Sequence, residues 1–183
     1  MGKVIILGGN ARSGKSTLAY RLVKSGFNRI SFDNIYSAIE DCLQINMDDI
    51  SEEKQFVFFE NIVDKCLEEA EIEDINSVID MYDFLPADID KLKNKDKVSA
   101  YFLAYPNTSR ETIKYNVVHY AKPSDWIAQV DEDYLDTCVE KFYERNAMLV
   151  EECAKYNQTL IDTKSGEDRD IILNNLFDKI TKK

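Results

Sequence analysis

Residues 8 to 17 read Gly8-Gly9-Asn10-Ala11-Arg12-Ser13-Gly14-Lys15-Ser16-Thr17, and Gly9, Gly14, Lys15 and Ser16 satisfy the spacing G-x-x-x-x-G-K-[ST]. The apolar run Lys3 to Leu7 before them predicts a buried parallel strand. Thr17 to Ser25 behind them, with Leu18, Leu22 and Val23 and then Gly26, predicts a helix and its stop. Strand, glycine turn and helix in that order suit an anion. Glycines let successive N–H groups converge on phosphate oxygens, and the helix start adds its positive end. At this spacing Lys15 reaches the β- and γ-phosphates and the Ser16 hydroxyl ligates Mg2+, while Thr17 can add a hydroxyl to the α-phosphate. Gly9, Asn10, Ala11, Arg12, Ser13, Gly14, Lys15, Ser16 and Thr17 are therefore expected to bind Mg-ATP. Arg12 faces either phosphate or solvent.

Outward from this stretch the chain alternates strand and helix patterns. Asn28 to Phe32 predicts a second strand, and Asp33 at its end can cap a helix carrying Ile35, Tyr36, Ile39 and Leu43. Ser51 opens a long helix in which Phe56, Phe59, Val63, Cys66 and Leu67 recur at three- and four-residue steps. Ser77 to Met81 and Lys97 to Ala104 predict further strands. Residues 107 to 130 mix Arg110, Lys114, His119, Lys122, Pro123 and Trp126 without a clean period, which suits an exposed flap or a small helical subdomain. A helix is expected from Asp131 to about Tyr156, a fifth strand over Thr159 to Ile161, and a closing helix from Ile171 to Ile180. Such alternation implies an α/β fold, a parallel sheet covered on both faces, in one domain over 1 to 183.

Composition narrows the function classes. The 183 residues carry a net charge of −11, with 44% hydrophobic and 31% charged residues, which excludes a basic nucleic-acid module and a disordered chain. The charge is uneven. Residues 1 to 39 carry six basic groups against Asp33 alone, whereas residues 40 to 90 carry seventeen acids against Lys54 and Lys65. The first block attracts a polyanion and the second repels one. No apolar run is long enough for a signal peptide or a membrane span, so a soluble, cytoplasmic protein is expected. Cys42, Cys66, Cys138 and Cys153 show no metal or redox spacing, and His119 is the single histidine.

The motif and its flanks resemble those of the P-loop kinases, strongly over residues 3 to 33 and elsewhere in element order and length. The small members of that superfamily are adenylate, shikimate and gluconate kinases and the chloramphenicol phosphotransferases. The resemblance implies a P-loop NTPase fold with strand order 2-3-1-4-5, a lid over about 107 to 130, and an adenine loop over Asp162 to Gly166. It also implies transfer of the γ-phosphoryl group of ATP to a hydroxyl.

Such a transfer needs a group to take the acceptor proton. Asp33 lies at the carboxyl end of a strand, where ligand crevices of open parallel sheets form, and is the candidate base as well as a helix cap. Asp80, with Asp83 as competitor, is the candidate for holding Mg2+ beside Ser16. Arg145 starts near the apolar stripe of the long second-half helix, so it either stabilises the transferring phosphoryl or snorkels from a core edge; Arg110 has a weaker claim. No arginine occurs between Arg29 and Arg110, and Ala87 stands where the adenylate-kinase pattern Asp-Gly-Phe-Pro-Arg ends in arginine. The expected acceptor is therefore a small, non-phosphorylated molecule. The alternatives are a nucleoside-monophosphate kinase, a polynucleotide 5′-kinase needing a basic channel, and a nucleotide-dependent switch.

Overall fold

In a computed structural model describing residues 2–121, 126–164 and 168–182, with the Trp126 side chain aside, five strands form one parallel sheet. They are β1 (Val4–Gly9), β2 (Phe27–Ser31), β3 (Asn76–Asp80), β4 (Val98–Ala104) and β5 (Thr159–Asp162), in the order β2-β3-β1-β4-β5. The helices are α1 (Lys15–Lys24), α2 (Phe32–Leu43), α3 (Glu52–Ile72), α4 (Pro86–Lys91), α5 (Arg110–His119), α6 (Glu132–Lys155) and α7 (Asp168–Thr181).

The pleat of β1 sorts the core into two layers. Val4 and Ile6 join Phe32, Phe59, Val63, Phe102 and Leu149 under α2, α3 and α6, while Ile5 and Leu7 join Leu18, Leu22, Leu173 and Leu176 under α1 and α7. Both faces of the central strand are thus apolar, which is why it reads as a continuous hydrophobic run. Burial of one such side chain contributes about 1.5–3 kcal/mol. Among the described residues no helix is long and apolar enough to cross a membrane.

Two local expectations change. The first helix starts at Lys15 instead of Thr17, which places Lys15 and Ser16 in its first turn. The second strand stops at Ser31, the N-cap of α2, so Asp33 sits in the first helical turn instead of at the cap. Phe32 decides this: as a helix residue it is fully buried, edge-on to Phe59 and Phe84. Of the two readings of 107 to 130, flap or helical subdomain, the first part takes the helical one and forms α5, capped by Ser109, with Ile113 and Val117 buried four residues apart. Only that narrow stripe is apolar, so no broad period was visible. These side chains pack with Tyr105, Leu135, Val139 and Phe142 in a third cluster, and Arg110 and Lys114 pair with Glu140 and Asp136 on α6. Lys122 and Pro123 lie outside the described residues, as does the Gly166 end of the expected adenine loop. Helix α4 was not expected; it is a six-residue turn with Pro86 first and the Asp88 carboxylate accepting from the Leu85 amide at 2.9 Å.

Candidate active site

The glycine loop leaves the carboxyl end of β1 at Gly9, whose φ of +122° and position require the absence of a side chain. A Cβ there would lie 2.1 Å from the Leu103 carbonyl oxygen on β4. Gly14, at φ +98°, turns the chain into α1. The loop's polar atoms are tied outward. Asn10 is fully buried, and its side-chain amide donates to the Phe142 carbonyl at 2.6 Å and to Asn146 Oδ1 at 2.9 Å. Tyr105 Oη donates to the Ala11 carbonyl at 2.7 Å, and Arg169 Nη1 donates to that of Arg12 at 3.2 Å. The amides of Gly14, Lys15, Ser16 and Thr17 begin a helix and have no intrahelical acceptor, so they remain for an anion.

Lys15 is buried, and its ammonium donates to the Asn10 and Gly9 carbonyls at 2.7 and 3.2 Å. Burial pushes its pKa down to about 8, against the upward pull of Asp80 and Asp33. These residues fit a nucleotide polyphosphate: backbone donors with no helical acceptor, glycine cradles, and a buried cation facing carboxylates. Ser16 and Thr17 are exposed in the first turn of α1.

Three carboxylates border Lys15: Asp80 at the end of β3, Asp33 in the first turn of α2 and Asp83 in the segment after β3. Asp80 registers with Leu7 on β1 and Ser31 on β2, is 5% exposed, and pairs with Arg29 at 2.5 Å. The Arg29 guanidinium also covers the Tyr20 ring, 4.7 Å from its centroid. Asp33 and Asp83 both stay open to solvent at the cleft. Desolvation first, and then a neighbouring carboxylate, raises both pKa values, Asp80 acting on Asp33 and Asp33 acting on Asp83; Lys15 and Arg145 pull the other way. No group of three or more acidic, His or Cys side chains could hold a metal among the described residues. A Mg2+ ion would therefore use one or two side chains, Ser16 and Asp80 being the candidates, together with phosphate oxygens. Asp80 would share that role with its bond to Arg29.

Arg145 enters the cleft. Its Nη2 donates to the Tyr82 carbonyl and its guanidinium lies 4.0 Å from the centroid of the Tyr82 ring, which Lys15 also approaches at 5.7 Å. Arg110, in contrast, is held on α6 by Glu140 and the Tyr143 ring. Sequence reasoning passed over Arg29, Tyr82, Tyr105 and Asn146. A signal existed for Arg29: with β2 beside β3, residues two apart on neighbouring strands share a face, so Arg29 and Asp80 were within reach. Asn146 gave none, since a lone Asn in a helix stripe carries no pattern.

The same architecture occurs in solved structures. The chain is similar to a gluconokinase from Sinorhizobium meliloti 1021, at 13% identity and a TM-score of 0.55 over 98% of this chain and 95% of the other. It is also similar to a shikimate kinase from Bacteroides thetaiotaomicron, at 20% identity and a TM-score of 0.55 over 97% and 98%. A shikimate kinase from Acinetobacter baumannii in complex with shikimate matches at 16% identity and a TM-score of 0.51 over 98% and 93%. The chain thus shares the fold of these three proteins. No protein-family model matches the sequence, and no curated protein matches it significantly.

Proposed function

We propose that the chain is an ATP-dependent phosphotransferase that moves the γ-phosphoryl group of Mg-ATP to a hydroxyl of a small, non-phosphorylated acceptor. The observation that carries this reading is the buried Lys15 at a glycine-bounded loop, facing the carboxylates of Asp33 and Asp80 at the carboxyl ends of β1, β2 and β3. The neighbours in fold, a gluconokinase and shikimate kinases, support it.

In this reading the amides of Gly14 to Thr17 and the Lys15 ammonium hold the phosphates in line with the acceptor. Asp33 accepts the hydroxyl proton as the oxygen bonds to γ-phosphorus and the bond to the β–γ bridging oxygen breaks, releasing ADP. Its raised pKa makes it a better base than an ordinary carboxylate. Arg145 steadies the charge on the moving group from the α6 side. Bound Mg2+, held by Ser16 with Asp80, would neutralise charge on the β- and γ-oxygens. The seventeen acids of residues 40 to 90 weigh against a nucleic-acid strand or a phosphorylated acceptor in the second half of the cleft.

The test is acceptor-dependent ADP release. Asp33→Asn should lower turnover by about 100-fold or more while ATP affinity is largely kept. Near-normal turnover in Asp33→Asn would remove it as the base, and ADP release that no acceptor stimulates would remove the kinase reading.

A further inference from the structure

We propose that the acceptor carries an ammonium group, held between Asp83 and the first turn of α2, while its hydroxyl is presented to Asp33. The inference rests on the kinase reading above and deepens it.

The acceptor side is bounded by α2 and by the segment after β3. Ring contacts bring these two together: Phe32 lies 5.5 Å from Phe84, and Phe84 stacks on Phe59 at 4.2 Å. Asp33 follows Phe32 and Asp83 precedes Phe84, so the packed rings set the two carboxylates beside each other at the cleft. Neither makes an ion pair among the described residues; Arg145 pulls on Asp83 and Lys15 on Asp33, and Asp48 adds a third negative charge acting on Asp83.

The nearby arginines are engaged elsewhere. Arg29 pairs with Asp80, and Arg145 bonds the Tyr82 carbonyl and stacks on its ring. Each keeps one buried Nε without a partner among the described residues, so the case against an anionic acceptor rests on the carboxylates it would meet.

An independent observation points the same way. Tyr36 lies one turn after Asp33 and is 7% exposed, yet its hydroxyl has no hydrogen-bond partner among the described residues. Asp83 is the charge that acts on it, and burial with that charge pushes the phenol up to about 12. A buried hydroxyl without a partner, beside a solvent-facing carboxylate, offers oxygens to a donor on the acceptor. The carboxylates do not converge into a cage for a metal ion. An ammonium with three divergent N–H donors suits oxygens that are spread apart.

The experiment uses two sets of alcohols that keep a hydroxyl and change the charge. One is ethanolamine, N-acetylethanolamine and glycolate; the other is glucosamine, N-acetylglucosamine and gluconate. Turnover is read as ADP release with Mg-ATP, and binding as the melting-point rise with a nonhydrolysable ATP analogue. In at least one set the amine should exceed its N-acetyl partner by about tenfold or more in kcat/KM or in affinity. Asp83→Asn should bring that ratio near one, chiefly through KM, and Tyr36→Phe should lower it less without changing the melting point of the free protein. Equal or better performance of the N-acetyl or acid members in both sets, or a preference that survives Asp83→Asn, overturns the proposal. ATP calorimetry separates the two levels. Nucleotide bound without amine preference sinks this inference alone, whereas no nucleotide heat from folded protein sinks the kinase reading and this with it.

Discussion

The loop between β1 and α1 keeps its shape through main-chain geometry, whereas the wall opposite, made by α2 and the segment after β3, depends on side chains from distant parts of the chain. In the loop, two glycines at positive φ and outward-tied carbonyls leave amides for an anion. In the wall, packed aromatic rings carry Asp33 and Asp83, and Asp80 is held from behind by Arg29. The half that grips a common ligand is built from the backbone, which every sequence with the right glycines can form. The half that distinguishes acceptors is built from side chains, which can change without disturbing the loop.

If this contrast is real, removing one side-chain partner should cost most on the wall side. Arg29→Met strands the buried Asp80 carboxylate, with Lys15 as partial compensation, and should lower unfolding stability by about 3 kcal/mol in denaturant titration. Adding Asp80→Asn should restore much of that loss, and a single-variant cost near zero would erase the contrast.

The loop side is sharpened by pH. Lys15 loses its proton at about 8 in the free protein, below the ordinary 10.5. A bound polyphosphate favours the charged form, so ATP affinity should fall as pH rises through that value, by up to about tenfold per unit. Calorimetry in buffers of different ionisation enthalpy should show proton uptake on binding above it. The same depression makes folding stability rise with pH between about 8 and 10.5, because the unfolded chain binds the proton more tightly in that window. A flat affinity profile would mean that Lys15 carries no part of phosphate binding. The smallest effect is expected from Tyr105→Phe, which removes the donor to the Ala11 carbonyl and should cost about 1 kcal/mol of stability. A loss as large as that of Arg29→Met would show that the loop, too, leans on side chains.

The fold was legible because alternation of strands and helices is a local pattern, and the strand order came with the resemblance carried by the loop. The elements that escaped were those with little local signal. Helix α4 is only six residues long, half of them polar, and α5 shows only Ile113 and Val117 toward the core. Asp33 stands in the first turn of α2 and not at its cap, because burial of Phe32 extends the helix by a residue. Arg145 had two readings from its helix stripe; packing of α6 against the segment after β3 brought it to Tyr82.

By itself the sequence determined the anion loop and the α/β alternation, since glycine freedom, helix starts and apolar runs act over a few residues. Only the tertiary structure decided that Arg29 neutralises Asp80, that Asn146 anchors Asn10, and that Asp33, Asp83 and Tyr36 meet at one wall. Those meetings join residues far apart in the chain, where spacing carries no information and packing of the rings and strands sets the distances.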